Sequence, residues 1–180
     1  SILKDDTFEM IGQKHFKMGK QTFEATYYQK TFKGLTYIFV EHDDFFNRTT
    51  YYNHDDDVMR FTFFNYAILE SMSLLSYYPD ILHLNDWQTG IAPFLLDAHY
   101  RKKNEHYQRI KTLLSIHNLE KQGNFHIENE YLFNNKNYTY IHFDEINFLK
   151  SGIMRADAIN TVSESYKYEA MTRFYGFNLE

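Results

Sequence analysis

The stretch Asp80-Ile81-Leu82-His83-Leu84-Asn85-Asp86-Trp87-Gln88-Thr89-Gly90-Ile91-Ala92-Pro93 decides the fold. A short apolar run, residues 81–84, stops at a polar cluster, and a helix start follows. Two further runs have the same form: residues 112–116 end at His117-Asn118, and residues 158–162 end at Ser163-Glu164-Ser165. Short apolar runs bounded by turn signals read as buried strands. If the three are parallel strands joined by helices, their polar clusters lie along one edge of one sheet, where open α/β folds bind ligands. Thr89 is the expected N-cap of a helix running to about Lys102, with Pro93 in its first turn, where a missing N–H leaves no bond unmade. Residues 112–116 then close a βαβ unit with a right-handed crossover, so Asp86 and His117 fall on the same side.

Upstream, residues 22–29 and 36–41 are rich in β-branched and aromatic types, and Lys33-Gly34 between them tolerates positive φ, so they read as a β-hairpin. Residues 1–20 are ambiguous. The run Asp55-Asp56-Asp57 opens a long helix over residues 57–76, where first-turn carboxylates suit the helix dipole better than they suit a metal. Met59, Phe63, Ala67 and Leu74 recur near helical spacing there, widened by Phe64, Ile68 and Met72, which is a core stripe. Downstream, Gln122-Gly123-Asn124 and residues 134–137 are turn signals, and residues 138–143 look strand-like. A helix over residues 147–156 leads to the strand at 158–162, apolar enough to be central. Ser163 caps a last helix over residues 164–174, with Gly176 as its stop.

Length and composition bound the class. The 180 residues suffice for one well-buried domain, and no Pro/Gly/Ser-rich linker divides them, so residues 1–180 are expected to form a single domain. A net charge of −5 disfavours nucleic-acid binding, and the absence of cysteine rules out disulfides and thiolate metal sites. No apolar stretch approaches the roughly 20 residues that span a bilayer, and residues 1–6 lack a signal-peptide layout, so no membrane role and a cytoplasmic location are expected. The chain starts without Met and ends just after a helical segment, which reads as a fragment. The 19% aromatic content fits a compositionally biased genome better than an aromatic sugar-binding surface.

Two candidate site residues emerge from the residues alone. Asp86, with Trp87 as an apolar wall beside it, can accept hydrogen bonds from sugar hydroxyls or take up a proton, or can simply serve a helix N-terminus. His117 can hydrogen-bond a substrate hydroxyl through one ring nitrogen while the protein holds the other, although a structural histidine is commoner. Ser163 and Glu164 form a helix start that can also face an anion. No nucleophilic triad, phosphate-binding glycine loop or committed metal spacing is visible, so no metal or cofactor is expected.

Five stretches resemble one family. Residues 80–93 resemble the "DVVHxHDWHTxLxP" segment of bacterial glycogen and plant starch synthases. Ser115-Ile116-His117-Asn118-Leu119 through Gln122-Gly123-Asn124-Phe125 resembles "TxHNLxxQGxF", and residues 147–163 resemble "NFLKGGIxxADxxxTVS". Phe45-Phe46-Asn47-Arg48 and Arg60-Phe61-Thr62-Phe63-Phe64 are similar to "FFDRPGxY" and "RFAFFxxA". Gln88 replaces the family's His, Thr49-Thr50 its Pro-Gly, and Leu119-Glu120-Lys121-Gln122-Gly123 its "LAYQG".

The resemblance implies a two-lobed glycosyltransferase B fold with a Rossmann-like open parallel sheet and flanking helices, of which this chain is an incomplete N-terminal lobe. It implies retaining transfer of glucose, without a metal, from a nucleotide-glucose such as ADP-glucose or UDP-glucose to the non-reducing end of an α-1,4-glucan. Asp86 and His117 would line the donor-glucose cleft, His117 near the 6-hydroxyl. Asn118 and Tyr52, or its neighbour Tyr51, would be at or near that site, flanked by Trp87 and Gln88. The family's Lys-x-Gly-Gly-Leu loop and its C-terminal nucleotide-binding lobe, both of which serve the donor, do not occur in these 180 residues, so the fragment alone is expected to be inactive. Two other readings fit the same residues: another retaining two-lobed glycosyltransferase with a different acceptor, and a non-enzymatic glucan-binding module.

Overall fold

Lys33 and Gly34 both adopt positive φ, 50° and 76°, the pair of left-handed residues that a two-residue hairpin turn of matching twist requires. They join β2 (Gln21–Phe32) to β3 (Leu35–Glu41), antiparallel, with Phe32 opposite Leu35. A computed structural model describes residues 7–180, and the chain divides into two compact units, Ser1–Tyr77 and Tyr78–Glu180. Residues 1–6, read above as lacking a signal-peptide layout, lie outside the described residues.

In the first unit the ambiguous N-terminal stretch supplies a third strand, β1 (Glu9–Met18), antiparallel to β2. Its signal is faint because only Phe16 and Met18 are buried, among lysines and a histidine. After the short α1 (Asp43–Phe46), α2 (Asp57–Leu75) packs on β1 and β2. Phe16 meets Phe63 and Tyr66 with ring centroids 5.2 and 5.6 Å apart, and the Tyr27 hydroxyl donates to the Ala67 carbonyl at 2.9 Å. The acid run is structural. Asp57 is buried, pairs with buried Arg60, and accepts the Asn53 and His54 N–H groups, while Asp56 holds Arg48 at 2.7 Å. Arg60 also donates to the Phe45 and Tyr51 carbonyls, which fixes the loop bearing Tyr52 to the helix.

The second unit is built on three parallel strands. β4 (Ile81–Asn85) pairs with β5 (Lys111–Ile116), and β5 pairs with the last strand of the chain, Ala158–Thr161. The crossover between β4 and β5 differs from the expected single helix. Thr89 is not an N-cap; its hydroxyl donates to the Asn85 carbonyl at 2.9 Å and accepts the Asn85 N–H at 2.8 Å. The helix begins later as α3 (Ala92–Leu95) with Pro93 in its first turn and passes into a π turn, Leu96–Tyr100, before the short α4 (Glu105–Gln108).

After β5 the chain makes a small antiparallel sheet of β6 (Asn124–His126), β7 (Ile141–His142) and β8 (Glu145–Asn147). Of the strand expected over residues 138–143 only β7 forms, and Tyr138–Tyr140 is a 3₁₀ turn, because the Asn137 side chain caps it and the Tyr140 hydroxyl both accepts the Asn137 N–H and donates to the Asn135 carbonyl. Asn147 then caps α5 (Phe148–Arg155), its Oδ1 accepting the Lys150 N–H at 2.7 Å. Phe94, Phe133, Tyr140 and Phe148 pack edge to face as the core between α3, α5 and these turns.

β9 (Ala158–Thr161) is an edge strand among the described residues, with Ile159 46% exposed, not the central strand its apolarity suggested. Burial depends on what packs against a strand, which the strand's own composition does not encode. Its entry is nonetheless pinned. Asp157 accepts from Thr112 N–H and hydroxyl at 2.9 and 3.0 Å and from the Lys111 ammonium at 2.9 Å. Partial burial would raise the Asp157 carboxyl, but these Lys111 and Thr112 bonds outweigh it and hold the group far below the usual carboxylate range. Ser163 caps α6 (Glu164–Ala170), which stops short of the expected Phe174, with Gly176 beyond it in irregular chain. No described helix is long and apolar enough to cross a membrane.

Candidate functional site

The three polar clusters stand together at the C-terminal ends of β4, β5 and β9 because the strands are parallel and in register, Asn85 beside Ser115 and Ile116 beside Thr161. Asp86 leaves β4 with its N–H donated to the Ser115 carbonyl at 2.9 Å, and its backbone turns sharply at φ 56°, ψ −170°. That turn swings the carboxylate over the end of β5. Oδ1 accepts the His117 N–H at 2.7 Å, and Oδ2 lies 3.1 Å from His117 Nδ1.

A carboxylate only accepts, so this contact sets the proton on Nδ1 and leaves Nε2 as the nitrogen turned away from Asp86. Nε2 has no protein partner among the described residues, and the His117 side chain is 49% exposed. The pair thus presents one imidazole nitrogen, oriented by a carboxylate, at an open sheet edge. Such a nitrogen can hydrogen-bond a sugar hydroxyl with fixed geometry.

The other expected site residues are placed unevenly. Asn118 follows His117, and its Oδ1 accepts the Glu120 N–H at 3.0 Å, closing a local turn. Trp87 is buried, its ring 5.9 Å from Phe125 and 6.5 Å from Phe148, so it forms the floor beneath Asp86 rather than an open face. Gln88 is half-buried in the same 3₁₀ turn, Trp87–Thr89. Tyr52 and Tyr51 belong to the first unit, where both are exposed in the loop before α2. Ser163 accepts the Tyr166 N–H at 3.1 Å as a helix cap.

Several residues read in the sequence only as turn and helix signals prove to support one another beneath Asp86. Gly123 has φ 66° and lies so close under Trp87 that a Cβ there would be 2.4 Å from the indole. The buried Asn147 amide donates to Gln122 Oε1 at 2.6 Å and to Asn124 Oδ1 at 2.7 Å, and the Phe148 and Leu149 N–H groups donate to the Gly123 and Gln122 carbonyls. The glycine of the turn signal was the available clue; its partner across the chain was not readable.

A family model described as the starch synthase catalytic domain matches residues 3–180. The chain belongs to that family. It is 49% identical over 176 residues to the glycogen synthase of Acholeplasma laidlawii (strain PG-8A), covering 97% of this chain and 37% of the relative. It is 37% identical over 188 residues to that of Lactococcus lactis subsp. lactis (strain IL1403), covering 100% of this chain and 38% of the relative. The chain therefore spans well under half the length of these curated relatives. Among solved structures, the catalytic domain of starch synthase IV from Arabidopsis thaliana, bound to ADP and acarbose, superposes with a TM-score of 0.81 at 24% identity. The match covers 96% of this chain and 38% of that one, and establishes a shared α/β fold.

Proposed function

We propose that this chain is part of the N-terminal lobe of a cytoplasmic glycogen synthase, which transfers glucose with retention from ADP-glucose or UDP-glucose to the non-reducing end of an α-1,4-glucan. The observation that carries this reading is the Asp86–His117 pair, formed across adjacent parallel strand ends in a chain of the starch synthase catalytic family. The relatives' names supply the reaction class, and the ADP and acarbose held by the Arabidopsis enzyme are in keeping with a nucleotide-sugar donor and a glucan acceptor. His117 Nε2 bonds a hydroxyl of the donor glucose, and Asp86 holds the ring in that orientation. Asn118 completes the donor side within this unit, with Trp87 and Gln88 supporting the turn beneath it.

Replacing His117 separates contact from scaffolding. In the full-length synthase, His117→Ala lowers kcat by roughly 100-fold, the order of loss seen when one oriented hydrogen-bonding group is removed from a transition state, while glucan affinity is nearly unchanged. Steady-state kinetics with ADP-glucose and maltooligosaccharide measures both quantities. An unaltered kcat would return His117 to a structural role.

A further inference from the structure

Four consecutive amides in the turn after β5 meet side-chain acceptors. Asp86 Oδ1 takes the His117 N–H at 2.7 Å and lies 3.4 Å from the Asn118 nitrogen. The Tyr166 hydroxyl takes the Leu119 N–H at 2.8 Å, and Asn118 Oδ1 takes the Glu120 N–H at 3.0 Å. Two of these acceptors come from the flanking strands. Asp86 follows β4, and Tyr166 stands in the first turn of α6, directly after β9, where Ser163 Oγ fixes it by accepting its N–H at 3.1 Å. The turn of the middle strand is thereby held from both sides.

We propose that Tyr166 is a positioning residue for the His117 site. Asp86 fixes the upstream end of the turn at the His117 N–H and Nδ1, and the ring keeps that direction only while the downstream end of the turn is fixed as well. The Leu119 side chain is buried and anchors the downstream end of the turn in the core. The Tyr166 hydroxyl sets the height of that end above the sheet and so the direction of Nε2. Without the hydroxyl the Leu119 N–H loses its acceptor, and the turn relaxes toward solvent to find another. This inference rests on the reading that His117 contacts the donor.

The test is Tyr166→Phe in the full-length synthase, alone and combined with His117→Ala. Reactions of this kind tolerate little misplacement, so the single variant should lose about tenfold in kcat with KM for maltooligosaccharide unchanged. In the His117→Ala background the same change should cost nothing further, because Tyr166 acts through that ring. Losses that multiply in the double variant, or a Tyr166→Phe kcat equal to the parent's while His117→Ala is impaired, would overturn the proposal. An active His117→Ala variant would instead defeat the donor-contact reading. The positioning itself is then judged by NMR, since Tyr166→Phe should shift or broaden the His117 ring signals and accelerate exchange of the Leu119 amide. Ring signals and exchange identical to the parent's would also overturn it.

Discussion

Asp86 holds a backbone conformation that its residue type resists. At φ 56°, ψ −170° a Cβ-bearing residue carries about 1–3 kcal/mol of strain, and such strain persists where surrounding contacts over-determine it. Here the Ser115 carbonyl takes its N–H while its carboxylate takes the amide and ring of His117, so the strained turn is what brings the two side chains together. Two substitutions dissect this. Asp86→Ala keeps the strain and loses the carboxylate, and should destabilise the protein by about 2 kcal/mol. Asp86→Gly loses the same bonds but relieves the backbone, and should be about 1 kcal/mol more stable than the alanine variant. Urea denaturation of both variants gives the difference; an alanine variant at least as stable as the glycine one would mean the turn is unstrained. That Asp86 ends a strand was legible from the apolar run before it. Its positive φ was not, because aspartate gives no sign of it and only the demand for contact across the sheet imposes it.

Between elements, the Trp87 turn and the β5–β6 connection are fitted to each other at one glycine, Gly123. Gly123→Ala would place a methyl 2.4 Å from the indole, in a backbone region that alanine resists. The loss should exceed about 3 kcal/mol, since overpacking and backbone strain add. Trp87 is the only tryptophan in the chain, so intrinsic fluorescence reports its displacement during the same melt. An unmoved emission spectrum with native stability would show that the contact is looser than drawn. At the other end of the sheet, Asp157 ties the entry of β9 to the start of β5. A carboxyl whose folded pKa lies below its unfolded value near 3.9 adds stability that is complete above that value and lost as pH falls through the folded one. Stability should therefore drop on acidification below about pH 4, and Asp157→Asn should flatten that part of the curve. Equal slopes for both proteins in acid urea titrations would remove Asp157 from the account. The hairpin, α2 and the three parallel strands were readable from periodicity, because each signal repeats within a few neighbouring residues. The strand expected over residues 138–143 shrinks to β7 because the Asn137 cap and the Tyr140 hydroxyl outcompete ladder pairing over residues 138–140.

At the scale of the whole molecule, the proposed reaction asks for groups beyond the Asp86–His117 pair. Charge growing on a departing phosphate needs cations or N–H groups aimed at it, and the glycine-rich loop and second lobe to which the family resemblance assigns that task do not occur in these 180 residues. Mixed with ADP-glucose and maltooligosaccharide, the 180-residue chain alone should give no turnover in a coupled assay for released ADP. Appreciable activity would relocate the stabilising groups to within it. Exposed apolar side chains on and after β9, among them Ile159, Val162, Met171 and Phe174, explain why an apolar run was misjudged as a central strand. Hydrophobicity records what a strand can bury, and its neighbours settle what it does bury.

The hairpin, α2, the strands of the parallel sheet and the polar residues at its edge follow from local pattern, since period, caps and turn residues act over a handful of positions. The contact of Asp86 with the His117 ring, the seat of Trp87 on Gly123 and the grip of Tyr166 on Leu119 required the folded chain. They join residues from separate elements, as with the 47 positions between Leu119 and Tyr166, and nothing in either segment alone specifies its partner. Topology and side-chain packing make those matches, which is why the residues at the sheet edge were legible and their contacts were not.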